Sequence, residues 1–490
     1  MQIDFLAIAP EIALAVTALI VLAADLALRG EAKQLVNPIA ALGTVVAIVF
    51  TVVLWGEDRS TFGGQFVVND YAVVFKLLFL GSLLAILGIS WRFFAEGRYF
   101  QGEYYFLLLT AFIGMLLMPS ARDLLLLFVA LETVSIPGFV MAGLRKRDLY
   151  SSEAAMKFFL IGVLSVALML FGMSMVYGFT GTTTLEGIAA AIAAESAPVP
   201  LLLGSVMLVI VGFGFKISAV PFHFWAPDTY AGSPMPVAAM LAVASKAAGF
   251  AGLIGVAFIA FEPLADVWAP VLGVLAIITM TVGNLIALQQ RDLIRMLAYS
   301  SVAQAGYMLI PFGLAQPGND VVNEAAVQAV VFYLVAYAVM NIGAFGVAIA
   351  VNRRTGLRSI QDYAGLGSRS PLMGLALAVF LLSLGGAPPT VGLWAKFAII
   401  EAATTEITIF GIVMMAFLVI NSVIAFFYYL RVVKTVWIDP ARDGLPQLQP
   451  GFNLSVVVFV LMVGTVLLGV LPGLISDFSG ATSLLATGGG

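Results

Sequence analysis

Gly212-Phe-Gly-Phe-Lys-Ile-Ser-Ala-Val-Pro-Phe-His-Phe-Trp225 follows a long apolar run and holds Lys216, Pro221 and His223, the single histidine of the chain. A segment apolar enough for lipid thus carries a charge and a helix breaker side by side. The 490 residues around it are 62% apolar and 10% charged, with a mean hydropathy of +1.07. Soluble domains carry about 25% charged residues. Apolar runs of roughly 20 residues recur from end to end, each able to cross a hydrocarbon core of about 30 Å. The expected fold is an all-α polytopic membrane protein.

About fourteen transmembrane helices are expected, near 6–28, 35–54, 71–90, 103–118, 123–143, 153–178, 200–219, 234–258, 264–287, 292–314, 323–351, 371–402, 407–433 and 453–472. The first stretch has no basic leader and reads as a span, not a cleaved signal. No loop is long enough for a soluble domain, so residues 1–490 read as a single integral membrane domain. With no cysteine and one histidine, the chain offers neither iron–sulfur ligation nor a bis-histidine haem site. No glycine-rich phosphate loop stands between a strand and a helix. No cofactor or metal is therefore expected in this chain, and no nucleic acid as partner; its surroundings are the lipid bilayer.

Basic residues test the span count. With alternate loops on opposite sides, Arg29, Lys33, Arg92, Arg98, Arg145, Lys146, Arg147, Arg291, Arg295, Arg353, Arg354, Arg358, Arg369, Arg431, Lys434 and Arg442 share one side. Only Arg59 and Arg122 face the other. Basic loops mark the cytoplasmic face, so both termini are expected on the periplasmic side.

The other five lysines lie inside spans. Lys76 and Lys157 stand about a turn from a span end, where snorkelling is expected. Lys216, Lys246 and Lys396 are central, as is Glu132 in "LLLLFVALETVSIPGFVMAG". A charge at the bilayer centre costs about 2.5–3.5 kcal/mol even on the lenient insertion scale. Three lysines and one carboxylate do not balance as static pairs. Burial disfavours an ammonium and a neighbouring carboxylate favours it, so such a pair is a protonation switch and a row of lysines a relay. Pro221 frees backbone carbonyls near Ile217, and Pro388 and Pro389 with Gly385 and Gly386 do the same in "SLGGAPPTVGLWAKF". Discontinuous helices are expected near 216–225 and 385–396, tolerated where they line a wet cavity. Lysine precedes the first break and follows the second, as two inverted five-helix repeats would give. Tyr299, Ser300, Ser301, Gln304, Tyr307, Tyr333, Tyr337, Asn341, Asn421 and Tyr428 thread the neighbouring spans, as water-binding groups or as interhelical hydrogen bonds.

"KISAVPFHFWAPDTYAGSPMPVAAMLAVASK", "RMLAYSSVAQAGYML" and "LSLGGAPPTVGLWAKF" resemble the signature segments of the antiporter-like subunits of proton-pumping NADH:quinone oxidoreductase, respiratory complex I. The likeness runs from about residue 100 to 435. "PDTYAGSPMPV" and lysine at 246 and 396 resemble the N-type branch; Gly392-Leu-Trp394 departs from the usual Gly-Phe. The resemblance implies repeats at about 104–258 and 264–433. It implies a coupling pair of Glu132 and Lys216, a central relay residue in Lys246 and a far-side exchange group in Lys396. His223 would line the cytoplasmic mouth, and Tyr299, Ser301, Gln304, Tyr333 and Tyr428 would support the path. NADH, FMN, iron–sulfur clusters and quinone are expected in partner subunits, and the partners are other membrane-arm subunits, including neighbouring antiporter-like ones, in a bacterial inner membrane. The implied function is a non-redox, proton-translocating subunit of that oxidoreductase. The alternatives are a subunit of a multisubunit cation/proton antiporter or a non-pumping spacer of the membrane arm.

Overall fold

The computed structural model describes residues 3–96, 101–194, 200–356, 358–441, 448 and 450–480. Arg98 and Arg442 lie outside the described residues, and so does the side chain of Arg354. In lipid each backbone amide must bond within its own segment, and the chain answers with helices almost throughout. They are α1 (Ala9–Ala27), α2 (Val36–Val53), α3 (Asp70–Glu96), α4 (Gln101–Leu117), α5 (Leu124–Ala142), α6 (Leu149–Thr180) and α7 (Leu185–Ala194). Next come α8 (Pro200–Ile217), α9 (Trp225–Gly232), α10 (Met235–Met240), α11 (Lys246–Gly255), α12 (Ala265–Ala287), α13 (Leu293–Leu309) and α14 (Asp320–Thr355). The chain continues through α15 (Leu366–Arg369), α16 (Pro371–Gly385), α17 (Val391–Thr405), α18 (Ile409–Trp437), α19 (Phe452–Val470) and α20 (Gly473–Gly480).

Among the described residues, 12 helices are long and apolar enough to cross a membrane. The 17-residue α13 and the divided pair α16–α17 fill the two remaining places in the expected fourteen. The span expected at 371–402 is thus two helices. Side-chain oxygens start several helices where four amides would otherwise be bare. Asp123 accepts from Leu125 at 2.8 Å, Asp292 from Arg295 at 2.9 Å and Thr408 from Gly411 at 2.9 Å. Two features have no counterpart in the sequence reading. A short antiparallel ribbon pairs β1 (Arg59–Thr61) with β2 (Phe66–Val68), and α7, of 10 residues, is too short to cross.

Burial separates pillars from wall. The span 235–260 is wholly buried and α14 nearly so, whereas α18 and α19 turn most of their surface outward. The buried span is not regular: Leu241–Ser245 and Val256–Ala260 are π turns on either side of α11. Such turns insert a residue into the helical ladder and are frequent at functional sites. Around the pillars, α6 packs on both α8 and α9, and α14 packs on both α16 and α17. Each discontinuous helix is therefore held by one unbroken neighbour.

Lys76 corrects the sequence reading. It does not snorkel: its side chain is 0% exposed, and its ammonium meets Glu11 of α1 at 2.8 Å and sits 4.9 Å from the centre of the Phe66 ring. Residue 11 lies in the first turn of the first span, where nothing in its neighbours marks it as a partner. Lys157 does reach the surface, with 43% of its side chain exposed, but it is held there by Asp228 at 2.6 Å and Glu153 at 2.7 Å.

Removing one partner of a buried ion pair leaves the other bare and costs about 3–5 kcal/mol, while removing both is nearly neutral. Lys76→Met is therefore expected to lower the thermal midpoint of the purified protein sharply, and adding Glu11→Gln to restore most of it. Equal losses in the single and double variants would show that the pair is not what holds α1 to α3.

Candidate functional site

A helix that ends in a buried interior leaves its last carbonyls without amide partners. The first such end is that of α8. Lys216 lies in its last turn, Ser218 then turns the chain at φ +62°, and α9 restarts at Trp225. Val220–Pro221 is a cis bond within this break. The Trp225 indole donates to the Phe215 carbonyl at 3.1 Å, and Val220 N donates to Thr279 Oγ1 of α12 at 3.1 Å. A cation in the last helical turn faces the negative end of the peptide dipoles. Lys216 Nζ donates to Ser135 Oγ of α5 at 3.0 Å. Glu132 stands one turn before Ser135, half-buried, with Oε1 enclosed and without a hydrogen-bond partner. The expected Glu132–Lys216 pair is therefore not a direct ion pair: Lys216 bonds to Ser135, one turn along α5 from Glu132.

Lys246 follows the first π turn. Its ammonium donates to both the carbonyl and the hydroxyl of Ser301, each at 2.5 Å. Gly249, one turn further on, lets the Lys216 stem pass: a Cβ there would lie 2.9 Å from Lys216 Cγ. The two lysines thus sit on touching helices.

The second helix end is that of α16. Gly386 turns at φ +94°, the Pro388–Pro389 bond is cis, and α17 starts at Val391. Lys396 reaches back across the break and donates to the carbonyl of Gly385, the last residue of α16, at 2.7 Å. Its ammonium also sits 5.2 Å from the centre of the Tyr307 ring. Gln304 Nε2 meets the neighbouring Leu384 carbonyl at 3.2 Å. Lys396 also lines a mainly apolar cavity of 420 Å³ between α17 and α18.

Between these ends runs α13. Ser300, Ser301, Gln304 and Tyr307 recur at spacings of three and four, so they share one helical stripe. Ser300 Oγ lies 2.5 Å from Tyr429 Oη, Gln304 Nε2 donates to the same oxygen at 3.4 Å, and the Tyr333 hydroxyl donates to Gln304 Oε1. Asn284 Nδ2 donates to Tyr307 Oη at 2.9 Å, and Tyr428 Oη donates to Asn284 Oδ1 at 2.9 Å. This stripe joins the partner of Lys246 to the ring beneath Lys396.

Of the expected residues, Ser301, Gln304, Tyr333 and Tyr428 come together here. Tyr299 is half-buried and packs against the apolar core. His223 is buried in the first break, its ring 4.5 Å from that of Phe224, and Nδ1 has no partner. Ser135, Asn284 and Tyr429 were missed. Ser135 follows Glu132 by three residues and Tyr429 follows Tyr428, so helical spacing could have raised both. Among the described residues no three His, Asp or Glu side chains are grouped to hold a metal.

A family profile described as NADH:quinone oxidoreductase/Mrp antiporter, TM, matches residues 121–425, the stretch that carries both breaks and all three central lysines. The chain belongs to that family. It is 36% identical over 476 residues to NADH-quinone oxidoreductase subunit N of Trichlorobacter lovleyi, covering 96% of this chain and 95% of that one. It is 42% identical over 461 residues to NADH-quinone oxidoreductase subunit N 2 of Streptomyces griseus, covering 91% and 84%. A chain in the structure of respiratory complex I from Thermus thermophilus with bound aureothin superposes with a TM-score of 0.78 at 32% identity, covering 96% and 98%. The family resemblance in the signature segments thus extends over nearly the whole chain.

The departure at Gly392-Leu-Trp394 keeps the glycine, and the packing requires it. A Cβ on Gly392 would lie 1.7 Å from the Ser383 carbonyl oxygen, and Gly392 N donates to Ser383 Oγ at 3.1 Å. Overpacking a tight contact costs about 1–3 kcal/mol. Gly392→Ala is expected to displace α17, with Lys396, from the end of α16, lowering both the thermal midpoint and proton-coupled turnover. Gly81→Ala, whose Cβ meets nothing within 4 Å, is the control expected to change neither.

Proposed function

We propose that this chain is a proton-translocating membrane subunit of an NADH:quinone oxidoreductase, moving protons along Glu132, Lys216, Lys246 and Lys396 while other subunits carry the redox groups. One observation carries the reading. The five lysines within spans divide into two that are ion-paired, Lys76 and Lys157, and three that rest on neutral acceptors. The three are Lys216 on Ser135, Lys246 on Ser301 and Lys396 on Gly385. Fixed ion pairs would account for helix packing alone. Buried amines on neutral oxygens are costly unless their charge is meant to change.

The magnitudes suit such a change. Taking a two-state group from 1:99 to 99:1 requires about 5.5 kcal/mol. A unit charge brought to about 4 Å supplies about 4 kcal/mol at an effective dielectric constant of about 20. Movement of charge at Glu132, or at a subunit beside it, is therefore nearly enough to switch Lys216. From there the α13 stripe offers hydroxyls and an amide between Lys246 and Lys396. Pro221, Pro388 and Pro389 serve by interrupting the helices. Inverted repeats at about 104–258 and 264–433 fit the packing in which α6 and α14 each hold both pieces of a broken helix. A cytoplasmic placement of the basic loops is supported by Arg145, Arg295 and Arg358 lining one cavity. The curated relatives, subunits of quinone oxidoreductases, favour this reading over a redox-free cation/proton exchanger.

Proton-transfer groups contribute about 10²–10⁴-fold to the steps they serve, so Lys216→Met and Lys246→Met are each expected to lower NADH-driven proton pumping by at least about tenfold. The assembled complex, followed by its NADH dehydrogenase activity on a native gel, should persist. Normal pumping by an assembled Lys216→Met complex would leave the chain a spacer. Migration in a smaller assembly, with sodium-dependent proton exchange and no NADH activity, would make it an exchanger subunit.

A further inference from the structure

Ser135 has one hydroxyl proton, and its destination is fixed: Ser135 Oγ donates to the Leu131 carbonyl at 2.8 Å, one turn back on α5. A hydroxyl carries one donor and two acceptor lone pairs, so it offers Lys216 an oxygen and no proton. Lys216 Nζ donates to that oxygen at 3.0 Å, and both side chains are buried. The Leu131 carbonyl does not depend on the hydroxyl, because the Ser135 amide is its regular partner in the helical ladder.

Beside this contact stands an unused one. Glu132 precedes Ser135 by three residues, so the two share a face of α5, and Glu132 Oε1 is enclosed without a hydrogen-bond partner. The charges of Glu132 and Lys216 act on each other across the gap. An ammonium gains more from a carboxylate than from a neutral oxygen, because Coulomb attraction adds to the hydrogen bond. Lysine's four-carbon stem is flexible enough to seek it. Lys157 does so in this chain, closing on Glu153 at 2.7 Å and on Asp228 at 2.6 Å. Lys216 takes the weaker acceptor, so its reach is constrained. Gly249 sets the route: a Cβ there would lie 2.9 Å from Lys216 Cγ and 3.2 Å from its Cβ. The stem thus runs over the bare backbone of α11 and meets α5 at Ser135.

We propose that Ser135 is a positioning residue that holds Lys216 off Glu132, keeping the two charges coupled but unpaired so that Lys216 can give up its proton. Ser135 carries no proton itself: its own stays directed at Leu131, and no bond to hydrogen is made or broken at Oγ. Of the elements around Lys216, α5 contributes Glu132, α11 Lys246 and the break His223, while α6 has no titratable side chain between Lys157 and Tyr177. Glu132 is the carboxylate among them. Without the hydroxyl, Lys216 closes on it as Lys157 closes on Glu153. The proposal rests on the relay reading, and its test separates the two.

The test uses the assembled complex in native membranes, comparing Ser135→Ala, Ser135→Thr and Lys216→Met. Ser135→Ala is expected to assemble and to lower NADH-driven pumping about tenfold. The alkaline fall in rate should move up by about one pH unit, the same tenfold expressed as proton affinity. The direction follows because a lysine closed on a carboxylate keeps its proton to higher pH. Ser135→Thr, which retains the hydroxyl and its bond one turn back, should restore both rate and profile. In Ser135→Ala/Glu132→Gln the upward shift should vanish, since no carboxylate remains to close on. High-resolution imaging of Ser135→Ala should place Lys216 Nζ within about 4 Å of a Glu132 oxygen, ion-pair distance. A packing defect would lower the rate and leave the pH profile in place. Wild-type rate and profile in Ser135→Ala, beside an impaired Lys216→Met, would overturn the positioning role, and so would a loss of rate without the shift. Unimpaired pumping in Lys216→Met would instead overturn the relay, while imaging of Ser135→Ala would still report whether the serine keeps the pair apart. Should Ser135→Ala fail to assemble, Ser135→Cys decides by the same readouts, since sulfur is a weak acceptor of similar size.

Discussion

The structure depends on what becomes of the carbonyls at the ends of α8 and α16, two helices that stop in the buried interior of the protein. A bare buried carbonyl costs about 1–3 kcal/mol, and a lysine at the same depth about 2.5–3.5 kcal/mol on the insertion scale. Neither is tolerable alone, and they are of similar size. Lys396 settles both at once by donating to Gly385 at 2.7 Å; at the end of α8 the Trp225 indole takes the Phe215 carbonyl at 3.1 Å and Lys216 donates to Ser135 Oγ at 3.0 Å. Helix break and charge stabilise each other, which is why the sequence places them together. A cation at a helix C-terminus is worth up to about 2 kcal/mol more in a partly buried setting.

Everything else is arranged to hold those two ends still. The unbroken α6 and α14 each clasp both halves of a broken helix. Close approach tightens these contacts: a Cβ on Gly232 of α9 would lie 2.5 Å from Ala154 Cβ of α6, and one on Gly392 of α17 would collide with the Ser383 carbonyl of α16. Between the breaks, α13 carries its polar stripe on one face and packs the rest into the apolar core. The π turn before Lys246 delivers that residue to Ser301 from within a span that is otherwise wholly buried.

Much of this was legible in the sequence. Hydropathy placed the spans because the bilayer fixes their length, and Pro221 with Pro388–Pro389 placed the breaks because proline cannot continue a helical ladder. The central lysines stood out because charge is so rare there. What was not legible depends on the approach of distant segments. Glu11 and Lys76 are 65 residues apart and meet only because the fold brings the start of α1 to the first turns of α3. Ser135 and Asn284 are ordinary polar residues until the packing sets the first against Lys216 and the second between Tyr307 and Tyr428. The π turns leave no mark in local composition at all, since "LAVAS" and "VAFIA" suit an α-helix equally well.

The division of the lysines has a consequence for how charge could travel. Lys76 and Lys157 each face a carboxylate, at 2.8 Å and 2.6 Å. Lys216, Lys246 and Lys396 rest instead on hydroxyl and carbonyl oxygens. Glu132, one turn before Ser135, is half-buried with Oε1 enclosed and unpartnered. Ser135 therefore satisfies Lys216 whether or not Glu132 is charged.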